Sequence, residues 1–138
     1  MMKANAIEQF GKQGLMNLLN AQVRSIEEGK VVIECPYSEI VSQQHGFFHA
    51  GVMTSIVDTA CGFAAFTLMP EGYEVLSVEF KMNLLKPAKS DAIVAVGQVL
   101  QAGKTLTVCE GFVYDATMQK LFAKMTATMI AIPFSKFL

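Results

Sequence analysis

The stretch that decides the fold is residues 43–63, QQHGFFHAGVMTSIVDTACGF. It joins a loop, which holds both histidines of the chain, to a long run of small and apolar residues. The run predicts a helix over residues 49–68, which Pro70 and Gly72 end, because proline and glycine typically follow helix C-termini. One carboxylate, Asp58, lies in the middle of this helix.

Helical periodicity places Asp58 away from the predicted core. Residues three or four apart share a helix face. One narrow face collects the small and polar residues Gly51, Thr54, Ser55, Asp58 and Gly62. The opposite, apolar face is predicted to pack on a sheet and consists of Val52, Met53, Ile56, Val57, Ala60, Phe63 and Ala64. Asp58 therefore lies on a side where a ligand or a second chain has room to approach.

The chain before the loop predicts a helix and a hairpin. Residues 1–19 hold an N-terminal helix, with its periodicity clearest from residue 5 onward. The apolar residues that approximate one face of it are Ile7, Phe10, Leu15, Leu18 and Leu19. Residues 20–27 and 30–36 then form a hairpin that turns at Glu28-Gly29.

Everything after the long helix predicts strands. Their ranges are 75–85, 92–101, 105–115 and 120–132. In the first of them, alternation places Leu76, Val78, Phe80 and Met82 on one side. Strands joined by short turns are antiparallel, and such a sheet has a face that must be covered. Residues 1–138 are thus predicted to form a single α+β domain, a curved antiparallel sheet wrapped around one long central helix.

Composition excludes several classes of protein. The net charge is −1 and Arg24 is the single arginine, so the chain lacks the basic cluster that nucleic acid requires. Residues 50–69 are long enough for a membrane span, but an aspartate at bilayer depth is costly, and no membrane partner is expected. Three separated cysteines without a CxxC pair favour reduced thiols and a cytoplasmic location. The apolar content of 52% indicates buried subunit interfaces.

The start of the long helix is a second feature of chemical interest. The first N–H groups of a helix have no intrahelical partner and can hold an oxyanion. Asp58 lies roughly 10 Å further along the axis from Gly51, at 1.5 Å per residue. That separation favours a dimer in which one chain supplies the helix start and the other supplies Asp58. The alternative is that Asp58 caps a local backbone group or pairs with a lysine at an interface.

These residues resemble the signature of the hotdog-fold acyl-CoA thioesterases, in particular the phenylacetate-degradation (PaaI-like) branch. That signature is an HGG-type turn followed by a helix with an acid seven residues after the second glycine. Here it is His49-Ala50-Gly51 and then Asp58, with alanine in place of the first glycine. The resemblance continues through VLSVEFKMNLLKPAK, QAGKTL and the last strand, and covers residues 30–132.

The resemblance implies hydrolysis of an acyl-CoA to a free acid and coenzyme A. Asp58 would be the general base or the nucleophile, and the Ala50 N–H beside Gly51 would hold the oxyanion. Gln43 would assist at the carbonyl, and Ser77 would position the water. His49, although next to this chemistry, is interpreted as mainly structural, fixing the loop by a hydrogen bond, and His45 likewise.

Coenzyme A is part of the substrate, and the resemblance implies no other cofactor. Contacts to its phosphates would come from Lys86 or Lys89 and from the turn Gly103-Lys104-Thr105; solvated lysines in an ordinary hairpin turn are the alternative. Two histidines without a third ligand at suitable spacing predict no metal site. The family assembles as dimers with shared sites, commonly paired into tetramers.

Two other functions stay open at this point. One is a hotdog hydratase or dehydratase, which needs a histidine–acid pair such as His49 and Asp58. The other is an acyl-CoA-binding module without turnover, which an apolar residue at position 58 would have favoured. The wealth of phenylalanine and methionine indicates an apolar acyl group, aromatic or medium-chain, without choosing between them.

Overall fold

The computed structural model describes residues 5–138, so the first four residues of the predicted N-terminal helix lie outside the described part of the chain. Its helices are α1 (Ala6–Gly11), α2 (Gly14–Leu18) and α3 (Ala50–Phe66). Its strands are β1 (Gln22–Glu27), β2 (Lys30–Pro36), β3 (Tyr73–Leu84), β4 (Ala92–Ala102), β5 (Leu106–Asp115) and β6 (Leu121–Pro133). Short 3-10 turns occur at Glu39–Val41 and Phe134–Phe137.

The six strands form one antiparallel sheet in the order β1-β2-β4-β5-β6-β3. α3 lies across the inner face of this sheet and contacts β2 through β6. The predicted apolar side of the helix is the side that packs, since Met53, Ile56, Val57, Ala60 and Phe63 are all buried. The predicted α+β fold, an antiparallel sheet around one long central helix, is confirmed.

A pair of glycines sets the distance between α3 and the sheet. Gly97 in β4 pairs directly with Gly111 in β5, beneath the middle of the helix. A Cβ atom at Gly97 would lie 2.3 Å from the backbone carbonyl carbon of Ala60, and one at Gly111 would lie 2.4 Å from Cγ2 of Val57. The helix can rest this close to the strand backbones only because both residues lack side chains.

Both ends of α3 are tied to neighbouring turns. At its C-terminal end the Thr67 hydroxyl accepts the N–H of Gly29 at 2.8 Å and donates to the Ala64 carbonyl at 2.7 Å. At its N-terminal end the Phe48 N–H donates to the Ala88 carbonyl at 2.9 Å. The helix is therefore fixed along its length as well as against the sheet.

The N-terminal segment differs from the single helix that the sequence predicts. α1 ends at Gly11, and α2 begins only after Gln13, which has an extended backbone (φ −79°, ψ 112°). The break interrupts the 3.6-residue period, so the predicted apolar face does not persist. Phe10 and Leu19 are buried, but Ile7 and Leu18 are 60% and 61% exposed.

β3 also departs from its predicted alternation. The pairing of β3 with β6 shifts register between Ser77 and Glu79, which leaves Val78 as an extra residue in a β-bulge. Before the bulge Ser77 pairs with the buried Met129, and after it Met82 pairs with the buried Met125. Residues on either side of the bulge that were predicted to share a face therefore do not.

The two edges of the sheet differ in chemistry. β3 forms one edge and exposes apolar side chains, among them Leu76, Val78 and Phe80. β1 forms the other edge, where the exposed residues include Arg24 and Glu27. Among residues 5–138, no helix combines the length and the hydropathy that a bilayer span requires.

Replacement of Gly97 by alanine tests the close approach of α3 to the sheet. We expect the free energy of unfolding to fall by about 3 kcal/mol, because the helix backbone at Ala60 must move to admit a methyl group. Urea denaturation measures this. The control is Gly11→Ala, an exposed helical position where a Cβ has no neighbour within 4 Å. Equal stability of the Gly97 variant and the wild type would contradict the analysis.

Candidate active site

His49 caps the start of α3. Its Nδ1 accepts the backbone N–H of Gly51 at 2.8 Å, which places the ring proton on Nε2. A Cβ on residue 51 would lie 3.0 Å from that Nδ1, so glycine leaves the imidazole room to bend back onto the helix. Within residues 5–138 the N–H of Ala50 donates to no acceptor. The helix therefore begins with one N–H used by the cap and one available to a ligand.

Gln43 is held rigidly in the loop before the helix. Its side-chain Oε1 accepts the N–H of His45 at 2.5 Å and that of Phe47 at 3.1 Å. Gly46 turns the loop between them with a φ of +83°, a conformation that favours glycine. Because the oxygen is occupied, the Nε2 amide is the part of Gln43 that remains to donate to a ligand.

A groove of about 490 Å³ runs between this loop and the β3–β4 connection. Gln43, Ala50 and Lys86 line it, and its walls are otherwise mainly apolar, including Met53 and Leu84. The structure thus brings three of the predicted site residues together. Lys89 lies on the same connection, between β3 and β4.

Asp58 does not line this groove but a second cavity, between α3 and β3. The Ser77 hydroxyl, which the bulge in β3 turns toward the helix, donates to Asp58 Oδ1 at 2.8 Å. The partial burial of Asp58 raises the pKa of its carboxyl, and the hydrogen bond from Ser77 lowers it in part. No lysine or arginine among the described residues lies within ion-pair distance of this carboxylate. Within residues 5–138 the carboxylate is thus stabilised by a neutral hydroxyl and not by an ion pair.

A cavity of about 190 Å³ adjoins Asp58. Beside Asp58 and Ser77, its lining includes Gly62, Phe63 and Val75. Gln13, which lies in the break between α1 and α2, also lines it. Sequence patterns did not indicate this last contact, because the break in which Gln13 lies falls inside the predicted N-terminal helix.

In one chain the predicted site residues form two separate groups. Gln43 and Ala50 line the groove, Asp58 and Ser77 line the cavity, and the two spaces share no lining residue. The residues predicted to contact phosphates are divided in the same way. Lys86 and Lys89 follow the end of β3, whereas the β4–β5 turn lies at the opposite end of the sheet.

The β4–β5 turn comprises Gly103, Lys104 and Thr105. The Gly103 N–H donates to the Leu106 carbonyl at 2.8 Å, and the Ala131 N–H donates to the Thr105 carbonyl at 2.9 Å. A Cβ at Gly103 would lie 2.6 Å from that Leu106 oxygen, so the tight turn itself requires glycine there.

The cysteines provide no nucleophile. Cys35, Cys61 and Cys109 are buried and unpaired. Burial raises the pKa of Cys35 to about 11 and that of Cys109 to about 12, and it also raises the pKa of Cys61. Such thiols stay protonated at neutral pH. Within residues 5–138 no three His, Cys, Asp or Glu side chains are grouped to hold a metal ion.

An antiparallel sheet around one long, capped central helix is the hotdog architecture that the sequence predicts. The sequence profile of the Thioesterase superfamily matches residues 45–122, more than half of the chain. The chain therefore belongs to the thioesterase superfamily, which confirms the family and the enzyme class that the sequence predicts.

Solved structures and a curated protein agree with this assignment. A thioesterase family protein from Silicibacter pomeroyi is 38% identical and superposes with a TM-score of 0.90, over 94% of this chain and 98% of that one. The 1,4-dihydroxy-2-naphthoyl-CoA hydrolase of Listeria monocytogenes is 26% identical over 108 residues, 78% of this chain and 88% of its own. The PaaI protein of E. coli, from the phenylacetic acid degradation operon, shares the fold at 21% identity, with a TM-score of 0.83 over 93% and 91% of the two chains.

Replacement of Ser77 by alanine tests the link between the two groups in the cavity. The hydroxyl stabilises the ionised form of Asp58, so its loss should raise the pKa of that carboxyl further. If catalysis needs the ionised carboxylate, activity will be lost at a higher pH as the solution is acidified. The acidic limb of the plot of kcat/KM against pH should therefore shift to higher pH. A ¹³C NMR titration of the Asp58 carboxyl checks the same shift without turnover. An unmoved titration would show that Ser77 does not control this group.

Proposed function

We propose that the protein hydrolyses acyl-CoA thioesters, with Asp58 as the reacting carboxylate. The observation that carries the proposal is a half-buried carboxylate that faces an open cavity and, within residues 5–138, has a hydroxyl partner and no cationic one. Buried acids without a cationic partner are uncommon and concentrate at functional sites. The hydrolase from Listeria monocytogenes, whose name specifies a CoA thioester, supports this choice of substrate class.

In the proposed reaction a water molecule adds to the thioester carbonyl. Asp58 takes the proton of that water, and burial makes the carboxylate a stronger base than an exposed aspartate. The Ala50 N–H and the Gln43 amide hold the oxygen of the tetrahedral intermediate, aided by the positive end of the helix dipole. The carbon–sulfur bond then breaks, and coenzyme A leaves as its thiolate. Direct attack by Asp58, through an anhydride that water cleaves, uses the same groups.

The separation of these groups in one chain supports a shared site. Gln43 and Ala50 act on the carbonyl oxygen and Asp58 acts on the same carbon, yet the helix holds Ala50 and Asp58 about 12 Å apart along its axis. Antiparallel pairing of β3 with β3 of a second copy would align the helix start of each chain with the Asp58 half of the other. The exposed apolar residues on β3 favour such a contact.

The same pairing would unite the divided phosphate contacts. Lys86 and Lys89 lie at the end of β3, and the Gly103–Thr105 turn lies at the end of the sheet where β3 begins. A twofold axis beside β3 would place the lysines of one chain at the same end of the joined sheet as the turn of the other. We propose that coenzyme A lies along this boundary, as part of the substrate and with no other cofactor. Assembly of two dimers into a tetramer, and a cytoplasmic location, stay predictions.

The two alternative functions fit the geometry less well. A hydratase would use His49 against an acid, but Nδ1 of His49 is engaged by Gly51, and the hydrogen-bond partner of Asp58 is Ser77. A binding module without turnover has no use for a carboxylate whose pKa is raised beside its ligand cavity. Activity measurements separate both from hydrolysis.

Replacement of Asp58 by asparagine should abolish the base while keeping the size of the side chain. We expect kcat to fall about 100- to 10,000-fold with a panel of acyl-CoAs, measured as release of free thiol. The control is Glu27→Gln, which neutralises an exposed carboxylate on β1, at the edge of the sheet far from Asp58. If the Asp58 variant remained folded and turned over at the wild-type rate, the catalytic assignment would be wrong.

A mixed dimer tests whether sites are shared. A chain with Gln43→Ala and a chain with Asp58→Asn, co-expressed with two affinity tags and purified together, form one site with both changes and one with neither. We expect about half of the wild-type activity from this pair of individually impaired chains.

The matched control places both changes in one chain and pairs it with a wild-type chain. A shared site then leaves no site intact, so activity should be low. Sites confined to single chains would reverse the two results, since the doubly changed chain would leave the wild-type chain untouched.

A further inference from the structure

We propose that Gly62 sets the size of the acyl group that the enzyme accepts, an inference that rests on the proposed thioesterase function. Gly62 is buried within α3 and lies one turn after Asp58 on the same face. It lines the cavity of about 190 Å³ beside the carboxylate.

Among residues 5–138, no packing contact requires glycine at position 62. A glycine in a helix interior is less favourable than alanine, and Gly62 has no positive φ to justify it. Gly97 and Gly111 are required because a Cβ there would strike α3, but a Cβ at Gly62 would meet no atom of the described residues within 4 Å. The space that a side chain would fill is the cavity next to Asp58.

Charge identifies which part of the substrate enters this cavity. A thioester carbonyl carries two arms, the acyl group and the coenzyme A arm with its phosphates. Of the described residues, those that line the cavity include the Asp58 carboxylate and neither lysine nor arginine, whereas those that line the groove beside Ala50 include Lys86. The Asp58 carboxylate repels the phosphates of coenzyme A, and Lys86 attracts them. The acyl arm therefore takes the cavity, against Phe63 and Val75.

The volume of the cavity limits the acyl group. An engineered apolar cavity of about 150 Å³ binds benzene. A cavity of about 190 Å³ therefore accommodates an acyl group with a single ring or a short chain. A side chain at residue 62 would take this space directly beside the reacting carbonyl. Acetyl groups would still fit, and bulkier groups would be excluded.

The experiment compares kcat/KM over a series from acetyl- to decanoyl-CoA, with benzoyl-CoA, for wild type, Gly62→Ala and Gly62→Val. We expect Gly62→Val to lower the ratio between the bulkiest accepted acyl group and acetyl by about 10-fold or more, and Gly62→Ala to lower it less. We also expect Gly62→Ala to raise Tm by about 3 °C. Gly11→Ala, which also replaces a helical glycine but at a position that does not line the cavity, should leave the ratio unchanged.

The outcomes separate this inference from the function on which it rests. Equal changes for small and bulky acyl groups, or an unchanged ratio, would overturn the role of Gly62 while leaving thioesterase activity established. Loss of the oligomer in the Gly62→Ala variant, seen by sedimentation, would assign the glycine to a subunit contact instead. Absence of thiol release by wild type over the whole series would refute the proposed function, and the inference with it.

Discussion

The close packing of α3 on Gly97 of β4 and Gly111 of β5 is the constraint on which the rest of the structure depends. Helices usually rest on a sheet through layers of side chains. Here the paired glycines Gly97 and Gly111 remove that layer at the centre. The helix therefore packs close to the centre of the sheet. Toward the β3 edge, Asp58 on the same helix accepts a hydrogen bond from the Ser77 hydroxyl at 2.8 Å.

Chemical roles are divided along the length of this one helix. Its first turn offers a free N–H group, held in place by the His49 cap, and its third turn offers a carboxylate. A straight helix cannot bend these groups toward a single substrate atom, because each residue advances the backbone by a fixed rise. Under the proposed mechanism, these two groups could therefore act on one carbonyl only if they came from different chains.

Local patterns in the sequence predicted the elements that local chemistry determines. The 3.6-residue period of residues 52–64 located both faces of α3, and Glu28-Gly29 located the first hairpin, whose Gly29 has a φ of +77°. The bulge at Val78 could not be foreseen, because it depends on how β3 pairs with β6, a strand more than 40 residues later. The break at Gln13 escaped prediction for a similar reason: Phe10 packs on Phe63 of α3, a tertiary contact that overrides the helical period.

In the candidate site, too, some residues could be predicted from local sequence and others could not. Asp58 stood out because a carboxylate in an apolar helix is conspicuous in any sequence, and the His49-Ala50-Gly51 turn marked the helix start. Gln13 and the cavity beside Gly62 did not stand out, since their meaning arises only when distant segments meet. The importance of Gly97 was equally hidden, because a glycine in a strand resembles any other until a helix is placed above it.

The contrast between the two edges of the sheet limits how many chains can join it by strand pairing. An exposed, apolar strand edge is a template for further strands, and a sheet with two such edges extends without limit into fibres. One edge of this sheet, β3, is apolar and can pair with another strand. At the other edge, β1, Arg24 is paired with Glu34 and charged residues face solvent. When two β3 edges pair about a twofold axis, both become interior strands of one sheet. Only the two β1 edges then remain exposed. Pairing through β3 would therefore close the assembly at two chains along the sheet and leave no apolar edge for a third.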